Sequence, residues 1–278
     1  MFNYWTEGGF IGWGQDPDPN TGRTPLQLFM DGRAQAAYDR KTFDLWTYIM
    51  AGGPDARIAR IRKQKIDYVK VGQWMNKEFK NRKVWVLLMP GKIQGRPPLP
   101  ITALNNNPDW RMVFVNDKQN LLVDITTPQG KKLFDGIATG QTIYPDEFSR
   151  NYTIAYNLLS SPTGVDQHKQ GLDLAIKAFE LKPSHIVIRK IMQSWKFPEL
   201  RPAISIFCKN YIDDFNKNKI AYAKQDGYLH RLWAALMTGS HLRQIAAARK
   251  NSNAVETLNT MIKQYEQEQK TLYSRIKW

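Results

Sequence analysis

Cysteine is nearly absent. The 278 residues hold one, Cys208, so no disulfide can close within the chain and a disulfide-stapled scaffold is excluded. Without a Cys pair there is no zinc-deaminase motif. Histidine is scarce too: the four (His168, His185, His230, His241) include no H-x₃₋₅-H pair, so no zinc ligand set is read. No apolar run approaches the roughly 18 residues of a membrane span. Met1-Phe2-Asn3-Tyr4-Trp5 shows no basic stretch leading into an apolar core, so no signal peptide is read and the expected location is the cytoplasm or the inside of a particle. G-x-S-x-G, G-x₄-G-K-[ST] and a Gly-rich strand-to-helix turn are all missing, which argues against a nucleotide hydrolase or a Rossmann enzyme. No cofactor and no metal ligand set is expected.

Acidic residues are outnumbered. Forty Lys/Arg against 25 Asp/Glu give a net charge of +15. The excess is concentrated. Between Arg57 and Lys83 stand ten basic residues (Arg57, Arg60, Arg62, Lys63, Lys65, Lys70, Lys77, Lys80, Arg82, Lys83) and two acids (Asp67, Glu78). A field of that sign attracts phosphate or an acidic protein surface.

The apolar fraction of 42% supports a packed core, and aromatics at 12% suit both cores and interfaces. Residues 1–26 read as an irregular arm. Gly8-Gly9, Gly12, Gly14 and Asp16-Pro17-Asp18-Pro19-Asn20 oppose regular structure. Yet Phe2, Tyr4, Trp5, Phe10 and Trp13 sit among them, and a solvated tail seldom carries so many aromatics. The arm is expected to pack on its own body or on a neighbour. Asp16-x-Asp18-x-Asn20 departs from a calcium loop, which wants Gly at the place of Thr21 and Glu at that of Gln27. It reads as turns.

Residues 27–150 form the expected α+β region. Thr24-Pro25 opens a helix through Leu26, Phe29 and Met30. A second follows through Phe43, Leu45, Trp46 and Ile49, ended by Gly52-Gly53-Pro54. The charged window predicts one helix over 55–80. Ile61, Tyr68, Val71, Met75 and Phe79 fall on its apolar face. Lys63, Lys70, Trp74 and Lys77 fall opposite, with Arg60 beside them, and the run continues into Arg82 and Lys83. Three or four strands follow: one at 84–89, then 112–115 and 121–125 joined as a hairpin by a five-residue loop. Pro128-Gln129-Gly130 reads as a turn.

Residues 151–278 read as a helical bundle. The helices are expected at 166–181, at 184–195 with Ser184 as cap, at 202–216 and at 228–237. A restart at Ser240 follows Thr238-Gly239. The last is capped by Asn253 and Glu256, with a seam of Val255, Leu258, Ile262, Tyr265, Leu272 and Ile276. Cys208, after Ile204-Ser205-Ile206-Phe207, reads as a buried small hydrophobe.

The fold class is therefore α+β: an N-terminal arm and helices with a small central β-sheet, then an α-helical C-terminal half. The expected function is a non-enzymatic structural or adaptor subunit of a larger assembly of the virion, secretion or conjugation type. Its partners are other protein subunits, reached through the aromatic arm and the basic face. The alternative is a nucleic-acid-binding protein, with Arg60, Lys63, Lys70, Trp74, Lys77, Arg82 and Lys83 as a basic groove bearing an aromatic. That alternative extends to a metal-dependent nuclease if Asp109, Asp117, Asp124 and Lys118 meet at the hairpin.

Overall fold

The computed structural model describes residues 1–4, 6, 15–16, 18–22, 24, 26–30, 39–93, 95–116, 118–160 and 164–275. They form an α+β protein with two compact units, Met1–Pro145 and Asp146–Trp278.

The first unit is built on a four-stranded sheet of order β1-β2-β4-β3. The strands are β1 (Phe2–Asn3), β2 (Val86–Pro90), β3 (Trp110–Val115) and β4 (Gln119–Asp124). β1 runs parallel to β2, with Phe2 opposite Leu87. The β2–β4 and β3–β4 pairs are antiparallel, with an irregularity between Met112 and Phe114. The hairpin is tighter than its sequence suggests because the ladder takes in Gln119 and Asn120. Asn116 closes the turn, its Oδ1 accepting from Lys118 N at 2.9 Å and Gln119 N at 2.7 Å.

Helices cover the sheet. α1 (Arg40–Met50), α2 (Gly53–Ile61) and α3 (Tyr68–Asn81) precede β2, α4 (Leu99–Leu104) precedes β3, and α5 (Pro128–Ala138) follows β4. Val86, Val113 and Val123 make one apolar cluster with Leu133, Phe134 and Ile137 of α5. On α3, Val71, Met75 and Phe79 are fully buried. The Phe79 ring lies 5.0 Å from Phe2 and 5.7 Å from Trp110.

The described residues of the second unit form helices and the turns between them. Its helices are α6 (Glu147–Leu158), α7 (Val165–Leu181), α8 (His185–Gln193), α9 (Arg201–Tyr222), α10 (Tyr228–Ala248) and α11 (Ser252–Arg275). Phe215 on α9 centres an aromatic cluster, with Tyr265 edge-on at 5.4 Å and Tyr228 stacked at 6.1 Å. Ile262 and Tyr265 are the buried members of the α11 seam, and Ile276 lies outside the described residues. Ser184 caps α8, accepting from Ile186 N. Cys208 is buried, and burial pushes its thiol up to about 12.

Five local expectations are corrected. The helix expected over 55–80 is two, α2 and α3. Lys63 takes a left-handed conformation, φ 52°, and Asp67 starts the new helix by accepting from Val69 N at 3.0 Å and Lys70 N at 3.2 Å. Residues 26–30 are not helical. Their backbone bonds go to side chains instead: Leu26 N donates to Gln15 Oε1, Phe29 N to Asn3 Oδ1, and Met30 O accepts from Asn3 Nδ2. Pro128-Gln129-Gly130 opens α5, with Pro128 in the first turn and Thr127 Oγ1 accepting from Gly130 N at 3.1 Å. Thr238-Gly239 does not interrupt α10. Thr238 Oγ1 returns to Ala234 O at 2.8 Å, and the bare Gly239 lets Met261 and Ile262 approach. Asn251, not Asn253, caps α11 by accepting from Ala254 N at 3.1 Å.

Candidate binding face

The basic face is built on two helices and the corner between them. α2 begins at Gly53, where φ is +66° and an added Cβ would strike the Trp74 ring of α3. Trp74 is half-buried and also meets Tyr48 of α1 edge-on at 5.5 Å. It thus pins α3 to α1 and α2, and its ring is not free on the cationic face. Gly72 serves a similar purpose, since a Cβ there would sit 2.5 Å from Ala103 O of α4. The apolar face of α3 is held inward, so its opposite face must project its lysines.

The cations divide into two sets. Arg82 is paired with Glu78 at 2.5 Å and also donates to Glu78 O. Lys80 bonds Asp109 at 2.5 Å, and that contact raises the lysine pKa and holds the carboxyl below its usual range. Asn76 completes this site, donating to Asp109 Oδ2 at 2.8 Å and accepting from Trp110 Nε1 at 2.9 Å. The other eight are Arg57, Arg60, Arg62, Lys63, Lys65, Lys70, Lys77 and Lys83. All eight are exposed, and none forms an ion pair among the described residues. Eight like charges held in no ion pair among the described residues repel one another and favour an external anion.

The sequence pattern placed Lys63, Lys70, Trp74 and Lys77 on one stripe. The structure keeps Lys70 and Lys77 two turns apart on α3, puts Lys63 in the α2–α3 corner, and folds Trp74 inward. Lys63 and Lys83 both occupy left-handed positions just past a helix end (φ 52° and 54°). The next residue closes a six-to-one bond in each case, Gln64 N to Ala59 O and Val84 N to Phe79 O. These are helix stops in which a lysine stands where glycine is commoner, and its charge favours the negative helix end.

The corner carries apolar side chains that the sequence pattern assigned to the core or did not single out. Ile58 is 47% exposed, Ile61 72%, Tyr68 39% and Val69 55%. Splitting one helix into two re-aims Ile61 and Tyr68, because the phase of α2 does not continue into α3. The signal was Asp67, a strong N-cap residue four places before Val71.

The other site expectations fare differently. Phe2 is fully buried in its own sheet between Phe29 and Phe79, which removes it from a partner-facing arm. Tyr4 packs 5.8 Å from Trp46. Trp5, Phe10 and Trp13 lie outside the described residues, as does Asp117. Asp124 is fully buried at the end of β4, where Oδ1 accepts from Thr126 N and Thr126 Oγ1 to shape the turn into α5. Asp109 and Asp124 therefore each have a structural role. Among the described residues no three His, Cys, Asp or Glu are grouped to hold a metal, and no helix is long and apolar enough to cross a membrane. Compared with protein-family models, curated proteins and solved structures, the chain finds no match.

Proposed function

We propose that this protein is an adaptor or structural subunit that docks an acidic protein surface through the α2–α3 corner. One observation carries the reading. Residues 57–83 hold eight exposed cations that form no ion pair among the described residues, together with four exposed apolar side chains, Ile58, Ile61, Tyr68 and Val69. Cations alone suit any polyanion. Exposed aliphatic side chains add what a nucleic acid backbone does not ask for, a surface that gains by leaving water. A protein interface uses both: an apolar centre that supplies affinity and a charged rim that steers association.

Nucleic-acid binding is the second reading, and the free cations favour it. The inward packing of Trp74 removes the aromatic platform that reading relied on. The two separate by experiment. Fluorescence anisotropy would compare an acidic amphipathic peptide, poly-glutamate and a short single-stranded oligonucleotide. The peptide should bind tightest, and Ile61→Ser with Val69→Ser should abolish its advantage over poly-glutamate. Replacing Lys63, Lys70 and Lys77 with Ala should weaken all three ligands. If the oligonucleotide binds tightest, ignores the apolar changes and loses about 2–3 units of salt slope in the triple variant, nucleic acid is the ligand.

A further inference from the structure

The helical unit buries one of its lysines. Lys190 on α8 is 9% exposed. Its Nζ donates to Ser160 Oγ, just past α6, at 2.6 Å and lies 4.3 Å from the centre of the Tyr156 ring. Ser160 is also hydrogen-bonded to the Tyr156 phenol. No carboxylate pairs with Lys190 among the described residues. Another cation, Lys196 in the turn after α8, adds like-charge repulsion. A buried ammonium facing like charge sheds its proton readily. Burial and Lys196 lower the Lys190 pKa to about 7, so much of the amine is neutral at physiological pH. A lysine that only decorates a helix end keeps its ammonium in water. Ser160, by contrast, is half-buried.

We propose that Ser160 and Lys190 form a serine–lysine pair that accepts an acyl group from small activated esters, with Tyr156 positioning both. Neutral Lys190 Nζ takes the Ser160 hydroxyl proton as Oγ bonds to the ester carbonyl carbon. The tetrahedral adduct then collapses, the bond to the leaving alcohol breaks, and the Lys190 ammonium returns the proton to that alcohol. The net change is one ester and one serine hydroxyl converted to one acyl-serine and one free alcohol. A neutral amine as the base for serine is an established alternative to histidine. Burial holds the Tyr156 phenol above its ordinary pKa, so it stays protonated throughout.

The test uses the full chain and p-nitrophenyl acetate. Peptide mass spectrometry should find one acetyl group on Ser160, and its rate of formation should rise with pH to a plateau with a midpoint near 7. Ser160→Ala should lose that adduct. Lys190→Arg keeps a charge but provides no base, and should slow Ser160 acetylation by at least about 100-fold. Circular dichroism would verify that each variant folds. If one does not, the pH profile of the unmodified protein decides alone. Acetylation confined to lysines, a Ser160 rate with no midpoint near 7, or Lys190→Arg acetylating at the original rate would each overturn the proposal and leave the pair as a structural contact.

Discussion

At the scale of single residues, burial and hydrogen bonding separate side chains that look alike in sequence. Lys190 and Lys77 have the same chemistry, yet one is enclosed and the other is exposed. Enclosure makes Lys190 a liability for the fold. Its folded pKa lies below the unfolded value, so the unfolded chain binds more protons between pH 7 and 10.5. Stability therefore rises with pH across that window, and the full penalty is felt below pH 7. Lys190→Met keeps the volume and removes the charge. It should stabilise the protein at pH 6.5 by an amount on the order of a few kcal/mol, and the gain should shrink as the pH approaches 10.5. Urea unfolding of both proteins across pH checks this. A gain independent of pH would mean that packing, not desolvation, is responsible.

At the scale of elements, the shortest strand carries unusual weight. β1 is two residues long, but it supplies the parallel partner of β2 and the Phe2 ring between Phe29 and Phe79. Asn3 ties the same strand to residues 29–30 through its side chain, and Trp46 Nε1 donates to Asn3 O at 3.1 Å. An aromatic at such a position is part of the core, not bait for a neighbour. Phe2→Ala should destabilise the protein by about 3–5 kcal/mol, read as a lower urea midpoint. Unchanged stability with lost self-association would instead return Phe2 to an interface role. The helices α2 and α3 illustrate a different point. A stop at Lys63 and a cap at Asp67 outweighed a hydrophobic stripe that read through both.

At the scale of the whole molecule, the two units differ in how they carry charge. Residues 1–145 hold 20 Lys/Arg and 13 Asp/Glu, and residues 146–278 hold 20 and 12. In the first unit ten of the basic residues and two of the acids lie in 57–83, so the remainder has ten cations against eleven anions. Its positive field is therefore local, as a docking face requires. The second unit has its own buried centre in Phe215, Leu232, Ile262 and Tyr265. Expressed alone, residues 146–278 should give a helical far-UV spectrum and one cooperative thermal transition. A gradual, non-cooperative melt would show that this half needs the other to fold.

Composition and periodicity alone determined the α+β class, the central strands, most C-terminal helices, the burial of Cys208 and the position of the charge excess. These follow from local rules: apolar spacing, turn residues and charge counts. Tertiary structure decided the rest. Whether Trp74 faces solvent depends on Gly53, a residue 21 places away. The exposure of Ile61 depends on a break that a helical wheel cannot register. The join of β1 to β2, and the meeting of Ser160 with Lys190, bring together residues 85 and 30 positions apart. Hydrophobic burial is non-directional and states only that a side chain leaves water; which distant backbone or ring it meets is settled by packing the whole chain at once.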